Sequence, residues 1–249
     1  MTTDTIEQAT VLATVERVAH VSTAMAQPVT RTDDFVAADT GQPAAMTNWA
    51  VLLRPILDRD DPLVDEIAGT FPPGRPHTIV GPWPTPDLTH RGLILIGHPP
   101  FMLRPPGPAT PIADVEGFVV TEAVDGPSLE VVERVLIEGF PLPELLPVVP
   151  RRAFDARVLG GPTRFFLGWH RDEPVATASV TVAHGVALVE FVATLEGARG
   201  KGFGAMVTQA AGLVDPTVPA VLIASDLGRP VYERLGFLPV SRWTLWMRA

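Results

Sequence analysis

The sequence predicts an α/β protein of the α+β kind, in which helices flank a mixed, mostly antiparallel central sheet. Between residues 164 and 194, three apolar runs alternate like antiparallel strands, and turn residues separate them. A glycine-rich turn, a helix, a strand and a second helix then follow in order. The chain has 249 residues, 46% of them hydrophobic and 19% charged, which is enough to bury a core.

The N-terminal part divides into two predicted segments. Residues 1–46 are expected to be a helical extension, because Ile6, Val11, Val15 and Val18 recur at roughly helical spacing. The stretch "TDDFVAADTGQP" is expected to be a connection. Further elements are then predicted: a strand at "NWAVLLRP", a helix at "DRDDPLVDEIAGTF", and strands at "HTIVGPW" and "GLILIGHPPFMLRPP". The prolines of "PPGPATP" predict a linker over 105–111.

The C-terminal part, 113–249, predicts a cleaner alternation. Its elements are a strand at "GFVVTEA", a helix at "PSLEVVERVLIEGF", a proline-rich loop at "PLPELLPVVPRR", the three-stranded run, a helix over about 203–214, a strand at "AVLIAS", a helix at "RPVYERL" and a final strand-like run "FLPVSRWTLWMRA". Strands followed by further βα units indicate a mixed sheet with helices on its faces.

Charge and composition exclude several classes of function. A net charge of −9 argues against a binder of nucleic acid or of a membrane surface, which would carry a basic face. The chain has no cysteine, so disulfides, thiolate metal sites and cysteine nucleophiles are excluded. The start lacks the basic and apolar regions of a signal peptide, and no apolar run is long enough to span a bilayer. We therefore expect a cytoplasmic protein.

The glycine-rich turn is the most informative stretch. In "VEFVATLEGARGKGFGAMVTQAA" an apolar strand leads through Arg199-Gly200-Lys201-Gly202-Phe203-Gly204 into a helix that opens with Ala205. Glycines let the backbone approach a ligand, and the first N–H groups of a helix have no partner within it. Such a turn suits a phosphate or pyrophosphate, although a glycine-rich turn can also simply tighten a connection.

Two nucleotide-binding motifs compete for this turn. A Walker A loop is rejected, because Lys201 is followed by Gly202 and not by the hydroxyl residue that binds magnesium. A dinucleotide fingerprint fits Gly200, Gly202 and Ala205, with Asp226 after the next strand. Against it, "LEGAR" separates the turn from its strand, and too few residues follow to complete a doubly wound sheet.

A third interpretation fits better. The pattern Arg199-x-x-Gly202-x-Gly204 at a strand-to-helix turn resembles motif A of the GNAT N-acetyltransferases, which move acetyl or acyl groups from coenzyme A to amines. The segment "LIASDLGRPVYERLGF" is similar to motif B of the same superfamily. Together the two motifs cover roughly 115–249. The resemblance implies a GNAT-like fold with splayed central strands and a catalytic domain over 113–249.

The resemblance also implies an acetyl-CoA site. The open backbone of Val192, Ala193 and Thr194 would pair with the pantetheine arm of acetyl-CoA, as a peptide adds to a sheet edge. The pyrophosphate would lie on the N–H groups of Gly200–Ala205, with the side chains of Arg199 and Lys201 beside them. Ser225 stands where many members have asparagine, and would bond the pantetheine. Acetyl-CoA is thus the expected co-substrate, and no metal is expected.

Acyl transfer needs a neutral amine and a proton for the departing thiolate. A free amine has a pKa near ~10.4 and a thiol near ~8.5, so the amine must lose a proton and the thiolate must gain one. Tyr232, the only tyrosine of the chain, stands at the family's tyrosine position and is assigned as general acid. Glu190 lies two residues before Val192 and is the candidate general base, through water, or else a solvent-facing glutamate. His184 receives no role.

The N-terminal part resembles a decayed copy of the same unit. "HRGLILIGHPPFMLR" can be aligned with "RLGFLPVSRWTLWMR", so that Gly92–Arg104 matches Gly236–Arg248. No glycine turn occurs there, and Leu88 lies near the position of the tyrosine. Tandem GNAT proteins have such a degenerate half. We predict one over 47–112, with an unrelated N-terminal segment as the alternative.

The leading hypothesis is an N-acyltransferase that acts on a primary amine in a small molecule or peptide, as a monomer or homodimer. A catalytically silent acyl-CoA-binding or regulatory module is the alternative, and a dinucleotide-dependent oxidoreductase is a third. The resemblance implies that about 126–160 and the last strands shape the acceptor site. Trp243 and Trp246 suggest an apolar entrance, or else belong to the core.

Overall fold

A computed structural model describes residues 5–140 and 142–249, so the first four residues of the predicted extension and Pro141 of the proline-rich loop lie outside the described residues. The helices are α1 (Thr5–Ala24), α2 (Leu63–Thr70), α3 (Gly126–Gly139), α4 (Phe203–Gly212) and α5 (Arg229–Arg234). The strands are β1 (Val29–Arg31), β2 (Phe35–Ala38), β3 (Trp49–Leu52), β4 (His77–Gly81), β5 (Ile94–Gly97), β6 (Pro100–Arg104), β7 (Phe118–Ala123), β8 (Thr163–His170), β9 (Glu173–Ala183), β10 (Val186–Thr194), β11 (Ala220–Ile223), β12 (Leu238–Arg242) and β13 (Thr244–Arg248).

The described residues form two mixed, mostly antiparallel sheets flanked by helices, which confirms the predicted fold class. The prediction of one central sheet was wrong in number, because the chain forms two. The six-stranded sheet, called the N-terminal sheet below, has the order β1-β2-β3-β4-β13-β5. The seven-stranded sheet, called the C-terminal sheet, has the order β12-β6-β11-β10-β9-β8-β7. In each sheet one neighbouring pair is parallel, β3 with β4 and β10 with β11, and the other pairs are antiparallel.

The two sheets exchange one strand each. Strand β6 comes from the N-terminal part and pairs with β11 and β12 in the C-terminal sheet. Strand β13, at the other end of the chain, pairs with β4 and β5 in the N-terminal sheet. The stretches 92–104 and 236–248, aligned from sequence, thus occupy equivalent positions in the two sheets. Phe101 and Trp243, fully buried with ring centroids 5.9 Å apart, pack together where the chain crosses over.

Helix α1 packs into a core that both sheets share. Its Val11, Val15 and Val18 are buried, as the helical spacing predicted. They belong to one hydrophobic cluster with Val36 and Val51 of the N-terminal sheet and, from the C-terminal sheet, Leu188 and Val221. Burial of apolar area from both sheets around one helix joins the two halves of the chain.

The N-terminal segment contains more than the helix that the sequence predicted. The segment 1–46 is more than a helical extension, because it supplies β1 and β2, which pair with each other and, through β2, with β3. The stretch expected to be a connection thus contains strand β2, and all four residues of β2 are buried. The strand exchange also crosses the division at 112/113, which remains a prediction. The linker 105–111 contains no helix or strand.

The chemistry of the first turn of α3 explains where that helix begins. Asp125 accepts from the backbone N–H of Ser128 at 2.9 Å, and the Ser128 hydroxyl is bonded in turn to the backbone N–H of Asp125. This reciprocal cap satisfies two donors that the helix leaves unpaired. No helix among the described residues is long and apolar enough to cross a membrane.

Candidate active site

A cavity of about 590 Å³ opens between the two sheets. It is lined by α1, β3, the ends of β5 and β11, the C-terminal end of α3 and the middle of β10. Most of its lining side chains are apolar. The polar lining residues are Arg17, Thr40, Thr47, His98, Glu190, Ser225, Asp226 and Tyr232. The candidate site therefore uses residues from both halves of the chain.

The cavity exists because two central strands diverge. Strands β10 and β11 are paired only at Ala187–Ala220 and Leu188–Val221. Beyond Leu188 the pairing of β10 with β9 is interrupted by a bulge between Glu190 and Ala193. Phe191 has φ +51° within that bulge, which turns the strand away from β11. The predicted splayed strands are thus present, and Val192 lines the opening that they leave.

The glycine turn at the end of β10 presents unpaired backbone donors. Gly200 and Gly202 have φ +77° and +87°, the left-handed region that favours glycine. Gly202 caps helix α4, whose first backbone acceptor is the Gly202 carbonyl, bonded by Met206 N–H at 3.2 Å. Within the described parts of the chain, no backbone oxygen accepts from the N–H groups of residues 200–205. The turn therefore has the geometry of an anion site at a helix N-terminus.

The side chains of this turn divide between surface and core. Arg199 donates to the carbonyls of Thr194 and Gly139, at 3.2 and 2.9 Å, and so braces the turn. Lys201 is exposed, with its ammonium 3.3 Å from the Gly197 carbonyl. Phe203 is buried and stacks on Phe118 at 4.5 Å, so its side chain belongs to the core and only its N–H is available to a ligand.

Tyr232 lies on α5 and lines the same cavity as Val192 and Ser225. Its ring packs edge-on against Phe237, with 6.1 Å between centroids. Burial raises the pKa of its phenol to about 12, so the hydroxyl keeps its proton at neutral pH. Ser225 accepts from the backbone N–H of Gly228 at 3.0 Å. A side chain at Gly228 would come within 3.1 Å of both Ser225 Oγ and Tyr232 Cε2.

Glu190 lies at the start of the bulge and is paired with a residue that the sequence analysis missed. Arg17 of α1 donates from Nε and Nη2 to the two carboxylate oxygens of Glu190, at 2.8 and 2.9 Å. The two side chains are only 3% and 14% exposed. Glu190 is thus not a solvent-facing glutamate, and its role as a base remains a prediction.

Two further features of the site were not predicted. Gly139, at the end of α3, lies so close to β10 that an added Cβ would be 3.2 Å from Ala193 Cβ and from the Thr194 carbonyl carbon. Buried Glu133 accepts from the backbone N–H groups of Arg151 and Ala153, and so holds the loop that carries Phe154 into the cavity wall. Burial raises the pKa of the Glu133 carboxyl. Neither of these has a local sequence signature, because each depends on contacts between distant segments.

The tryptophans proposed for an apolar entrance belong to the core. Trp243 and Trp246 are 0% and 4% exposed, in two different hydrophobic clusters. His184, assigned no role, lies in the turn between β9 and β10.

Comparison with solved structures identifies the architecture. A GCN5-related N-acetyltransferase from Kribbella flavida superimposes with a TM-score of 0.65 at 20% identity, over 94% of this chain and 95% of that one. The chain has the GNAT fold. A GCN5-related N-acetyltransferase from Sphaerobacter thermophilus gives 0.52 at 12% identity, over 94% and 91% of the two chains.

The likeness to a solved tandem structure extends over nearly the whole chain. A tandem GNAT protein of the clavulanic acid biosynthesis pathway matches with a TM-score of 0.51 at 14% identity, covering 98% of this chain and 96% of that one. No family model matches the sequence, and no curated protein matches it either. At these identities the likeness defines the fold and leaves the reaction to be argued from the site.

Proposed function

We propose that this GNAT-fold protein is an N-acyltransferase that moves an acetyl or other acyl group directly from coenzyme A to a primary amine. One observation carries the proposal. Diverging strands β10 and β11 open a cavity whose wall holds a protonated tyrosine, and the same strand β10 ends at a turn of unpaired N–H groups. An acyl donor with an extended amide arm and a pyrophosphate suits both features.

The described residues fit acetyl-CoA in two places. The N–H groups of Gly200–Ala205 would bind the pyrophosphate, where the dipole of α4 also favours an anion. The backbone of Val192, Ala193 and Thr194 would bind the pantetheine arm, because the side of β10 facing β11 is unpaired beyond Leu188. Exposed Lys201 and the brace formed by Arg199 add positive charge beside the turn.

Tyr232 would supply the proton that the leaving group needs. In the transfer, the amine nitrogen bonds to the thioester carbonyl carbon, the carbon–sulfur bond breaks, and the sulfur leaves as a thiolate. The Tyr232 hydroxyl is protonated at neutral pH and would donate to the sulfur as negative charge builds there. The proton that the amine loses would then restore the phenol, whose pKa of about 12 lies above the ~8.5 of a thiol. Ser225, beside Tyr232 on the cavity wall, would orient the pantetheine arm.

The amine must also lose a proton. Glu190 is close to the bulge and could receive it through water, with Arg17 holding the carboxylate in place. The same ion pair gives a specific reason to keep a second candidate function. Both carboxylate oxygens of Glu190 are bonded to Arg17, as in a structural ion pair, and this favours a silent acyl-CoA-binding module.

We propose further that the N-terminal half is a degenerate GNAT unit that walls the acceptor cavity. Leu88, near the position expected for a tyrosine, is fully buried. The connection from β3 to α2 corresponds to the glycine turn, because β3 and β4 are the parallel pair of their sheet as β10 and β11 are of theirs. In this connection Arg54 forms an ion pair with Asp61 at 2.6 Å. Neither position offers a proton donor or a glycine turn for acyl-CoA. Thr40, Met46 and Trp49 of this half nevertheless line the shared cavity.

Calorimetry followed by a thiol-release assay tests the proposal. We expect acetyl-CoA to bind the wild type and to lose most of its affinity in Gly202→Val, because a β-branched residue is strained at positive φ and crowds the turn. Gly197→Ala is the matched control, since an added Cβ there meets no atom within 4 Å. Thiol release with amines supports the enzyme. Binding without transfer across the amine panel supports the silent module, and tight NAD binding contradicts both.

A further inference from the structure

Arg17 is a buried cation with unused hydrogen-bond donors. Its side chain is 3% exposed and lines the cavity between the two sheets. Only Nε and Nη2 are bonded to Glu190, and Nη1 has no partner among the described residues. A guanidinium has five N–H groups, so the edge formed by Nη1 and Nη2 remains available to a second planar acceptor.

Aromatic rings hold the guanidinium in one position. Its central carbon lies 4.4 Å from the centroid of the Trp49 ring and 5.4 Å from that of Phe191. Both rings also line the cavity. A cation that is packed against two rings and paired on one edge loses little rotational freedom when a ligand binds its other edge. The arrangement is therefore preorganised for a carboxylate.

The surrounding cavity restricts which carboxylates would bind. Its walls near Arg17 are apolar, with Val18, Val21, Leu145 and Phe154 among the lining residues. An isolated anion would be costly to bury there, since Glu190 already neutralises Arg17. A zwitterion avoids that cost, because its carboxylate can approach Arg17 while its ammonium approaches Glu190. An apolar body would then contact the apolar walls.

We infer that the acceptor is an apolar amino acid with a free carboxylate, held by Arg17 through that carboxylate and by Glu190 through its amino group. This inference rests on the proposed acyltransferase function and names the substrate class of the same cavity. Glu190 lies in the strand segment that precedes Val192, so an amino group beside Glu190 is close to the predicted path of the acyl donor. Arg17 is then a specificity-determining residue contributed by the N-terminal half.

A binding experiment tests the inference without requiring turnover. Calorimetry compares phenylalanine with phenylalaninamide and phenethylamine, which lack the carboxylate, and with alanine, which lacks the apolar body. Each titration is run with and without saturating coenzyme A. We expect phenylalanine to bind about tenfold or more tightly than each of the other three. Phenylalaninamide and phenethylamine lose the charge-assisted pair with Arg17, and alanine loses the burial of an apolar side chain.

Two variants at the ion pair assign the effect to Arg17. The double variant Arg17→Gln/Glu190→Gln removes both charges without leaving one of them buried alone, and should abolish the preference for phenylalanine over phenethylamine. Arg17→Lys keeps a charge but lacks the planar fork, and should reduce that preference even if the double variant does not fold. The matched control is Arg164→Gln/Glu122→Gln, a two-point pair on neighbouring strands β8 and β7, outside this cavity.

Three results would overturn the inference: phenethylamine binding as tightly as phenylalanine, no binding of phenylalanine at all, or a preference that survives in Arg17→Lys and in the folded double variant. A failure of the proposed acyltransferase function gives a different result, because acetyl-CoA then does not bind in the calorimetric titration. Discrimination for phenylalanine that persists without acetyl-CoA binding would keep the amino-acid site and exclude the acyltransferase.

Discussion

The guanidinium of Arg199 donates a 2.9 Å hydrogen bond to the main-chain carbonyl of Gly139. The bond joins the C-terminal end of α3 to the glycine turn after β10. The two segments also approach each other closely, since a Cβ added at Gly139 would lie 3.2 Å from the carbonyl carbon of Thr194. Helix α3, which lines the cavity, and strand β10, which ends at the glycine turn, are therefore positioned by each other.

Gly139→Ala should disturb this junction. The new Cβ would be 3.2 Å from Ala193 Cβ and 3.2 Å and 3.3 Å from the carbonyl carbon and nitrogen of Thr194, and backbone cannot yield as a flexible side chain does. We expect a loss of about 1–3 kcal/mol in the free energy of unfolding, measured in urea, and weaker acetyl-CoA binding. Gly69→Ala in α2, where a Cβ meets nothing within 4 Å, is the control. Equal stability of the two variants would contradict the close packing.

Tyr232→Phe should lower kcat while leaving acetyl-CoA affinity nearly unchanged. The phenol is the proposed proton donor, and general acid catalysis contributes about 10²-fold or more to a rate. Steady-state kinetics and calorimetry on the same preparation separate the two quantities. Unchanged turnover would exclude the general-acid role.

The pH dependence of kcat gives an independent readout of the same residue. Burial raises the pKa of Tyr232 to about 12, above the ordinary tyrosine value near ~10. The hydroxyl therefore remains protonated through pH 10, and kcat should show no decline there that depends on Tyr232. A decline centred near pH 10 in the wild type that is missing in Tyr232→Phe would contradict the burial of the phenol.

His77 should make the N-terminal sheet sensitive to acid. It is 2% exposed and stacks on Phe71 with ring centroids 4.3 Å apart. Burial lowers its pKa, Arg248 lowers it further, and the Arg75 carbonyl and Asp39 oppose the shift. The folded protein therefore binds a proton less readily than the unfolded chain.

As the pH falls below about 6.5, the unfolded chain takes up a proton that folded His77 does not, and stability decreases until the pH is below the folded pKa. The slope contributed by this single group is at most about 1.4 kcal/mol per pH unit. Urea unfolding at several pH values measures this effect. As the pH falls, the free energy of unfolding should decrease less in His77→Phe than in the wild type. In His184→Gln, which changes a histidine in a turn, it should decrease as much as in the wild type. Identical profiles in all three proteins would contradict the prediction.

The whole chain should unfold in one transition. Each sheet contains a strand from the other half of the chain, and α1 is buried against both. Neither sheet can lose its strands while the other remains intact. Tryptophan fluorescence, which includes Trp49 in the N-terminal sheet and Trp169 in the C-terminal sheet, should change at the same urea concentration as circular dichroism. Two separate midpoints would contradict this coupling.

Local sequence chemistry predicted much of the C-terminal half. Apolar alternation and turn residues located β8, β9 and β10, and the glycines at 200 and 202 marked a turn that needs positive φ. These features depend on neighbours within a few residues, so they can be recognised without a structure. The strand β2 was missed because four consecutive buried residues show no alternation when both faces of a strand are covered.

The sequence by itself determined the mixed α/β class, the glycine turn before α4 and the position of the one tyrosine. Only the tertiary structure decided which strands share a sheet, because β6 and β13 each pair with strands far away in the chain. It also decided that Arg17 meets Glu190 across 173 positions. Such contacts come from the packing of α1 between two sheets, and no local pattern of residues encodes that packing.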